Sequence, residues 1–397
     1  MTIDPNSEVL TWGTDAGESA KLSLRRPAGR PTSLCKSTRM SHLSMAYRNE
    51  KSAQLQHPFK TVVHYGNARW QPGRAGNSAQ QIARANLDRG MNVCYLSPSG
   101  RSTSRVSEKF AILSDNDFSR PDRLFMILSR FGCSPANTAF VVSWATKKSR
   151  EVTSWFVRRG YRCLYRHVDF FAPDTHPTYC SLTTEAICRE VDLITLSHPE
   201  LKSQIPEGVA STVVTNGLRR TFLEPDSSAQ FDDILRGDVT LGFWGTSWGD
   251  RIDWELLTKY ADRNPTYAIN MITDLTDRRL PPNLKVLGLR HQRTLPCYLR
   301  QFDVALIPFR QDQNFARFAN PIKALEYLSG PVPVISPPNP SLEGFSGIFF
   351  YRDWESFASV VQEARRYKFE ETTRWLQDHT WAAKFHNVLV ELAGAKT

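Results

Sequence analysis

Short apolar runs recur along the chain from residue 61, and stretches of helical spacing fill the intervals between them. In the first half the runs are Thr61 to Tyr65, Met91 to Leu96, Ala139 to Trp144, Arg162 to Asp169 and Val191 to Ser197. In the second they are Val239 to Trp244, Tyr267 to Ile272, Leu284 to Gly288 and Asp303 to Phe309. They alternate too little for strands wet on one side, and fit parallel strands buried on both faces. Between them the spacing predicts helices. One follows Ser78, whose pairing with Gln81 has the form of a capping box, and runs to Arg89 with Gly90 closing it. Others span Ser149 to Arg159, Gln292 to Gln301, Trp354 to Tyr367 and Thr372 to Ala393. Strands alternating with helices in this way predict an α/β architecture with parallel sheets.

The second-half stretch from Asp303 to Gly330 carries the clearest chemistry. Asn320 is a good N-cap and Pro321 a good first helical residue, so a helix is expected from Pro321 to Gly330. Such a start offers free backbone N–H groups, the positive end of the helix dipole and, at Lys323, an ammonium group: the requirements of a diphosphate. Glu326, three residues on, could accept hydrogen bonds from a ribose. The same spacing also fits an ordinary βα unit with a surface Lys/Glu pair. Earlier, Gly245 lets a backbone approach a ligand closely, and Thr246 and Ser247 can bond phosphate oxygens. Asp169 falls at the carboxyl end of a strand, where open α/β sheets place their ligands. It reads either as a local cap or as a general base.

The segment Asn320-Pro-Ile-Lys-Ala-Leu-Glu-Tyr-Leu-Ser-Gly330, followed by Pro331-Val-Pro-Val-Ile335, resembles the P-x-K-x-x-E-Y-L block of GT-B glycosyltransferases, including the group 1 enzymes. Pro331 stands where that block usually has a polar residue. Tyr165-Arg-His-Val-Asp169 and Val191-Asp-Leu-Ile-Thr-Leu-Ser197 are similar to strand ends of the membrane-associated, inverting glucuronosyltransferases of xanthan assembly. Val213 to Leu218 is similar to their interdomain crossing, with Arg219-Arg220 departing from its usual pattern. The resemblance spans about residues 61 to 345. It implies a GT-B fold of two Rossmann-like domains facing across a cleft, and a diphosphate role for Lys323 and a ribose role for Glu326. It further implies a base role for Asp169, donor contacts from the Gly245–Thr246 turn and Asn320, and nucleobase recognition near Arg290. The loop after the first strand would face the acceptor, making Arg69 and Arg74 acceptor candidates.

Composition adjusts this picture. A chain of 397 residues exceeds one typical core. The expected division is a disordered segment over 1–58, an acceptor domain over 59–222, a nucleotide-sugar domain over 223–375, and a last helix, 376–397, returning to the first domain. Seven scattered cysteines without C-x-x-C spacing point to a reducing cytosol. No apolar run approaches a membrane span, so a cytoplasmic chain, soluble or peripheral on the inner face of the membrane, is expected. The formal charge of +10 is uneven. Residues 1–225 hold 30 Lys and Arg against 19 Asp and Glu, whereas 226–397 hold 20 against 21. Basic pairs such as Lys147-Lys148, Arg158-Arg159 and Arg219-Arg220 would suit an anionic membrane surface or simply a solvated face.

Asp115-Asn-Asp117 matches a metal-binding D-x-D by spacing, but such triplets arise easily by chance, and the histidines lack zinc spacing. The expected activity is metal-independent and without cofactor: transfer of a sugar from a nucleotide-sugar donor to a saccharide, lipid-linked acceptor in polysaccharide or surface-glycan assembly. The rivals are a nucleotide-sugar 2-epimerase of the same fold and a non-catalytic basic protein gripping nucleic acid or lipid. Basic residues interleaved with aromatics, which would favour nucleic acid, are missing.

Overall fold

A computed structural model describes residues 58–66, 68–70, 77–98, 107–114, 121–168, 181–223, 231–246, 251–311, 318–369 and 373–395. Most of the 1–58 segment, the Asp115–Asp117 triplet and Asp169 lie outside the described residues. The chain forms two parallel sheets. The first has seven strands: β1 (Thr61–Tyr65), β2 (Asn92–Ser97), β3 (Phe110–Ser114), β4 (Thr138–Val142), β5 (Arg162–His167), β6 (Leu193–Leu196) and β7 (Thr212–Val213), in the order β3-β2-β1-β4-β5-β6-β7. The second has six: β8 (Thr240–Trp244), β9 (Ala268–Ile272), β10 (Leu284–Val286), β11 (Val304–Leu306), β12 (Val334–Ser336) and β13 (Ile348–Phe350), in the order β10-β9-β8-β11-β12-β13. Both sheets place their first strand centrally and reverse direction beside it, the Rossmann arrangement.

Strand β1 shows why these runs lack alternation. It pairs with β2 and β4 in parallel register, Val63 lying between Cys94 and Phe140. Successive side chains point to opposite faces. Val63 joins Val152, Phe156 and Ile187 on one side, while Val62 joins Ile82, Phe385 and Leu389 on the other. With helices on both faces, every position of the strand is buried.

Helix α1 (Ser78–Asp88) and α2 (Pro121–Arg130) are followed by α3 (Lys147–Val157), capped by Thr146 in a reciprocal box with Ser149, and by α4 (Ser181–Glu190). The cap of α1 differs from expectation. Asn77, one residue earlier, accepts from the Gln80 N–H, and the Ser78 hydroxyl instead accepts from Arg166 at 2.9 Å. In the second half, α5 (Trp254–Arg263), α6 (Leu295–Leu299), α7 (Ile322–Ser329) and α8 (Trp354–Arg366) cover a single continuous core.

The segment expected as one helix from Thr372 to Ala393 is two, α9 (Thr373–Asp378) and α10 (Trp381–Gly394). Thr380 breaks the run by capping α10, its side chain accepting from the Ala383 N–H. The apolar face of α10 (Trp381, Phe385, Val388, Leu389 and Leu392) packs with Val62 and Ile82 of the first half. The chain therefore crosses between halves twice, and the crossings touch. Leu218 N–H donates to His379 O at 2.7 Å and Trp381 N–H to Leu218 O at 3.2 Å. Gly217 permits the contact: a Cβ there would stand 2.6 Å from the Trp381 nitrogen.

Candidate functional site

The end of β8 and the start of α7 are locked together by side chains from both. The Trp244 N–H donates to the Tyr327 hydroxyl at 3.0 Å, its indole N–H donates to Glu326 Oε2 at 2.9 Å, and the two rings pack edge to face. This fixes the next residue. Gly245 has φ +150°, a conformation other residues rarely adopt, and a Cβ on it would lie 2.9 Å from Lys323 Nζ. Gly245 and Lys323, 78 positions apart in sequence, are thus in contact.

Lys323 is half-buried, with its ammonium 4.9 Å from the Phe243 ring centre and 4.8 Å from that of Phe309. Those faces offer cation–π attraction but no hydrogen-bond acceptor. Burial pushes the ammonium pKa down from 10.5 to about 8, with Glu326 opposing and Arg251 adding to the fall. Among the described residues no carboxylate forms an ion pair with it. An ammonium held in this way gains most from a ligand that brings its own negative charge. The helix it stands on begins with Pro321 at the N-cap position, a residue with no side chain able to bond the first N–H groups.

Asn320 has another task than the cap expected of it. Its Oδ1 accepts from the Asn216 N–H at 2.9 Å, and its carbonyl accepts from Asn216 Nδ2 at 2.6 Å. The helix accordingly begins at Ile322, one residue later than the spacing predicts. Asn216 in turn accepts from Arg166, so the start of α7 is tied to the first crossing and, through Arg166, to the start of α1.

Glu326, anticipated as a ribose acceptor, is a buried carboxylate. It is 2% exposed, with Oε1 accepting from Arg219 Nε in a buried ion pair and Oε2 from Trp244. Both oxygens are engaged within the protein. Arg219 is 6% exposed, which removes it from any membrane-facing basic pair. Arg290, expected near a nucleobase, donates to Asp233 Oδ2 at 2.8 Å and to the Tyr298 hydroxyl at 3.0 Å. It braces the 231–235 segment against α6. Thr246 is exposed beside Gly245. Arg69 is exposed, and its carbonyl accepts from Gln80 of α1. Arg74 and Ser247, like Asp169, lie outside the described residues.

The site therefore unites Gly245, Thr246 and Lys323, with Glu326, Trp244 and Tyr327 as its frame and Asn320 as its tie to the other half. Sequence spacing did not single out Trp244, Tyr327, Arg166 or the Arg219 ion pair. The hint for Arg219 was its departure from the usual crossing pattern.

No protein-family model matches the sequence, and no curated protein matches it. Its fold is similar to that of the sucrose-phosphate synthase from Thermosynechococcus elongatus, at 14% identity and TM-score 0.57, over 85% of this chain and 94% of that one. It is similar to the UDP-forming α,α-trehalose-phosphate synthase from Burkholderia vietnamiensis, at 12% identity and TM-score 0.58, over 85% and 99%. It is also similar to an α-glucosyltransferase solved with UDP and a 13-mer DNA, at 10% identity and TM-score 0.52, over 85% and 95%. The fold is GT-B, two Rossmann-like units in one chain, as the sequence pattern and the Asn320–Gly330 block had suggested. Among the described residues no helix is long and apolar enough to cross a membrane.

Proposed function

We propose that this chain is a glycosyltransferase that moves a sugar from a nucleotide-diphosphate donor to a saccharide acceptor. The acceptor is lipid-linked, part of polysaccharide or surface-glycan assembly at the inner face of the cytoplasmic membrane. The observation that carries the reading is the Lys323 ammonium, which has no ion-paired carboxylate among the described residues, against the Gly245 backbone at a helix start whose N-cap residue is Pro321. Leaving-group departure from a nucleotide sugar concentrates negative charge on the diphosphate. A fixed cation and a row of backbone N–H groups stabilise that charge without a metal.

In this mechanism the acceptor hydroxyl attacks the anomeric carbon and gives its proton to Asp169 in an inverting reaction. The bond from that carbon to the diphosphate breaks, and its electron pair leaves with the nucleotide. Lys323, the start of α7 and the Gly245–Thr246 turn hold the departing group. Arg69 and Arg74 face the acceptor.

A thermal-shift screen against nucleoside diphosphates and nucleotide sugars tests the donor half. A ligand at 100 times its Kd adds about 2.7 kcal/mol of stability, which Lys323→Ala should abolish while leaving the unliganded melting curve in place. The shift in the unsubstituted protein should shrink as pH rises through about 8, where the lysine loses its proton. An undiminished shift in Lys323→Ala would refute the site.

A further inference from the structure

Asn216 stands on the first crossing, and every polar atom it carries is bonded. Its N–H donates to Asn320 Oδ1 at 2.9 Å and its Nδ2 donates to the Asn320 carbonyl at 2.6 Å. Its Oδ1 accepts from Arg166 Nη2 at 2.9 Å, and its carbonyl accepts from Lys384 Nζ at 3.0 Å. The three partners belong to different elements. Asn320 precedes α7, Arg166 lies on β5 and reaches the Ser78 hydroxyl at the start of α1, and Lys384 lies on α10 and also donates to Thr215 Oγ1. One residue therefore joins the first sheet, the helix beyond the second crossing and the helix that carries Lys323.

The bonds to Asn320 do more than tie two segments. The peptide group between Asn320 and Pro321 is planar, so holding its carbonyl holds the plane from which the proline departs. The pyrrolidine ring then fixes the next torsion, with Pro321 φ at −72°. Only the Pro321 ψ remains to be set between the clamped carbonyl and Ile322, the first residue of α7, and Lys323 follows directly. On the other side, the Ala319 carbonyl accepts from Asn339 Nδ2 at 2.8 Å and from the Ser341 hydroxyl at 3.1 Å, which anchors the segment to the second half. The direction of the first turn of α7 is thus set jointly, at residue 319 by the second half and at residue 320 by the first crossing.

We propose that Asn216 is a positioning residue for nucleotide binding: without touching the ligand, it aims the first turn of α7 and Lys323 at the diphosphate. This rests on the reading that the Gly245–Lys323 end holds that diphosphate. A hydrogen bond weakens steeply as its donor turns away from the acceptor. A first turn released from the clamp must also be ordered by the ligand itself, and that cost is taken from affinity.

Asn216→Asp removes a single contact. The carboxylate keeps an acceptor for Arg166 and the backbone bonds to Asn320 and Lys384, but it has no N–H for the Asn320 carbonyl and sets an oxygen against it. In calorimetric titration of the full chain, UDP should bind at least tenfold more weakly to Asn216→Asp, whose unliganded melting temperature stays close to that of the unsubstituted protein. Thr215→Val, which loses the neighbouring Lys384 bond at the same crossing, should bind UDP unchanged. In hydrogen exchange without ligand, the Ala324 amide, bonded to the Pro321 carbonyl at 3.0 Å, should exchange faster in Asn216→Asp, whereas the Val332 amide, bonded to the Tyr327 carbonyl beyond the helix, should not. Asn216→Ser, which loses the same contact without adding charge, serves if the aspartate destabilises the fold, with a loss in the same direction. Unchanged UDP affinity, unchanged exchange at Ala324, or an equal loss in Thr215→Val overturns the proposal. UDP that fails to bind even the unsubstituted protein overturns the donor reading instead, and the Ala324 exchange, which needs no ligand, then decides by itself whether Asn216 aims α7.

Discussion

At the scale of single residues, Lys323 and Glu326 look alike in the sequence, two charged positions one turn apart, and the structure separates them. Lys323 is left with aromatic faces, whereas Glu326 is bound on both oxygens by Arg219 and Trp244. Arg219 is 107 positions away, so no local pattern could announce the pair. Breaking a buried ion pair leaves an uncompensated charge in the interior, at a cost of about 3–5 kcal/mol. Glu326→Ala should lose stability on that scale in chemical denaturation, because it strands Arg219. Glu326→Gln, which keeps an acceptor for the Trp244 indole, should lose less. A Glu326→Ala variant as stable as the unsubstituted protein would mean that Arg219 finds water on its own.

At the scale of elements, the apolar runs made most strands legible, and the reason is the double-sided burial seen at β1. Helix starts were less legible, because their capping side chains were claimed by distant partners. The Ser78 hydroxyl serves Arg166, 88 positions on, and Asn320 serves Asn216, 104 positions back. Each helix start therefore lies one residue from its locally best cap, or takes a neighbour as its cap. The same long-range logic makes Gly217 necessary. Its Gly217→Ala variant must displace the Trp381 backbone and ring, all within 2.9 Å of the added carbon. Overpacking of this kind costs about 1–3 kcal/mol, which should appear as a lowered melting temperature. Gly394→Ala, with open space around it, provides the neutral control.

At the scale of the whole molecule, the buried histidines with strongly depressed pKa values belong to the first sheet. His64 of β1 is held at about 3, chiefly by burial and then by the Arg166 charge, and His167 of β5 at about 4 by burial. His64 pairs with Ser143 and stacks on Phe385 of α10, so its ring joins the first sheet to the helix beyond the second crossing. His379 and His386, at that crossing and on α10, are also shifted downward. In the unfolded chain each imidazole returns to about 6.5 and binds a proton the folded form refuses. Their contribution to stability is complete above about pH 6.5 and is lost progressively as pH falls toward 4 and 3. The first half and α10 should therefore give way before the second sheet on acidification. Acid titration followed by hydrogen exchange should find the β1 and β5 amides losing protection at a higher pH than those of β8 and β9. His64→Gln, which retains a partner for Ser143 but cannot charge, should narrow that gap. Simultaneous loss of protection in both sheets would show that the contacts between the halves bind them into one acid-cooperative unit, overriding the difference in their histidines.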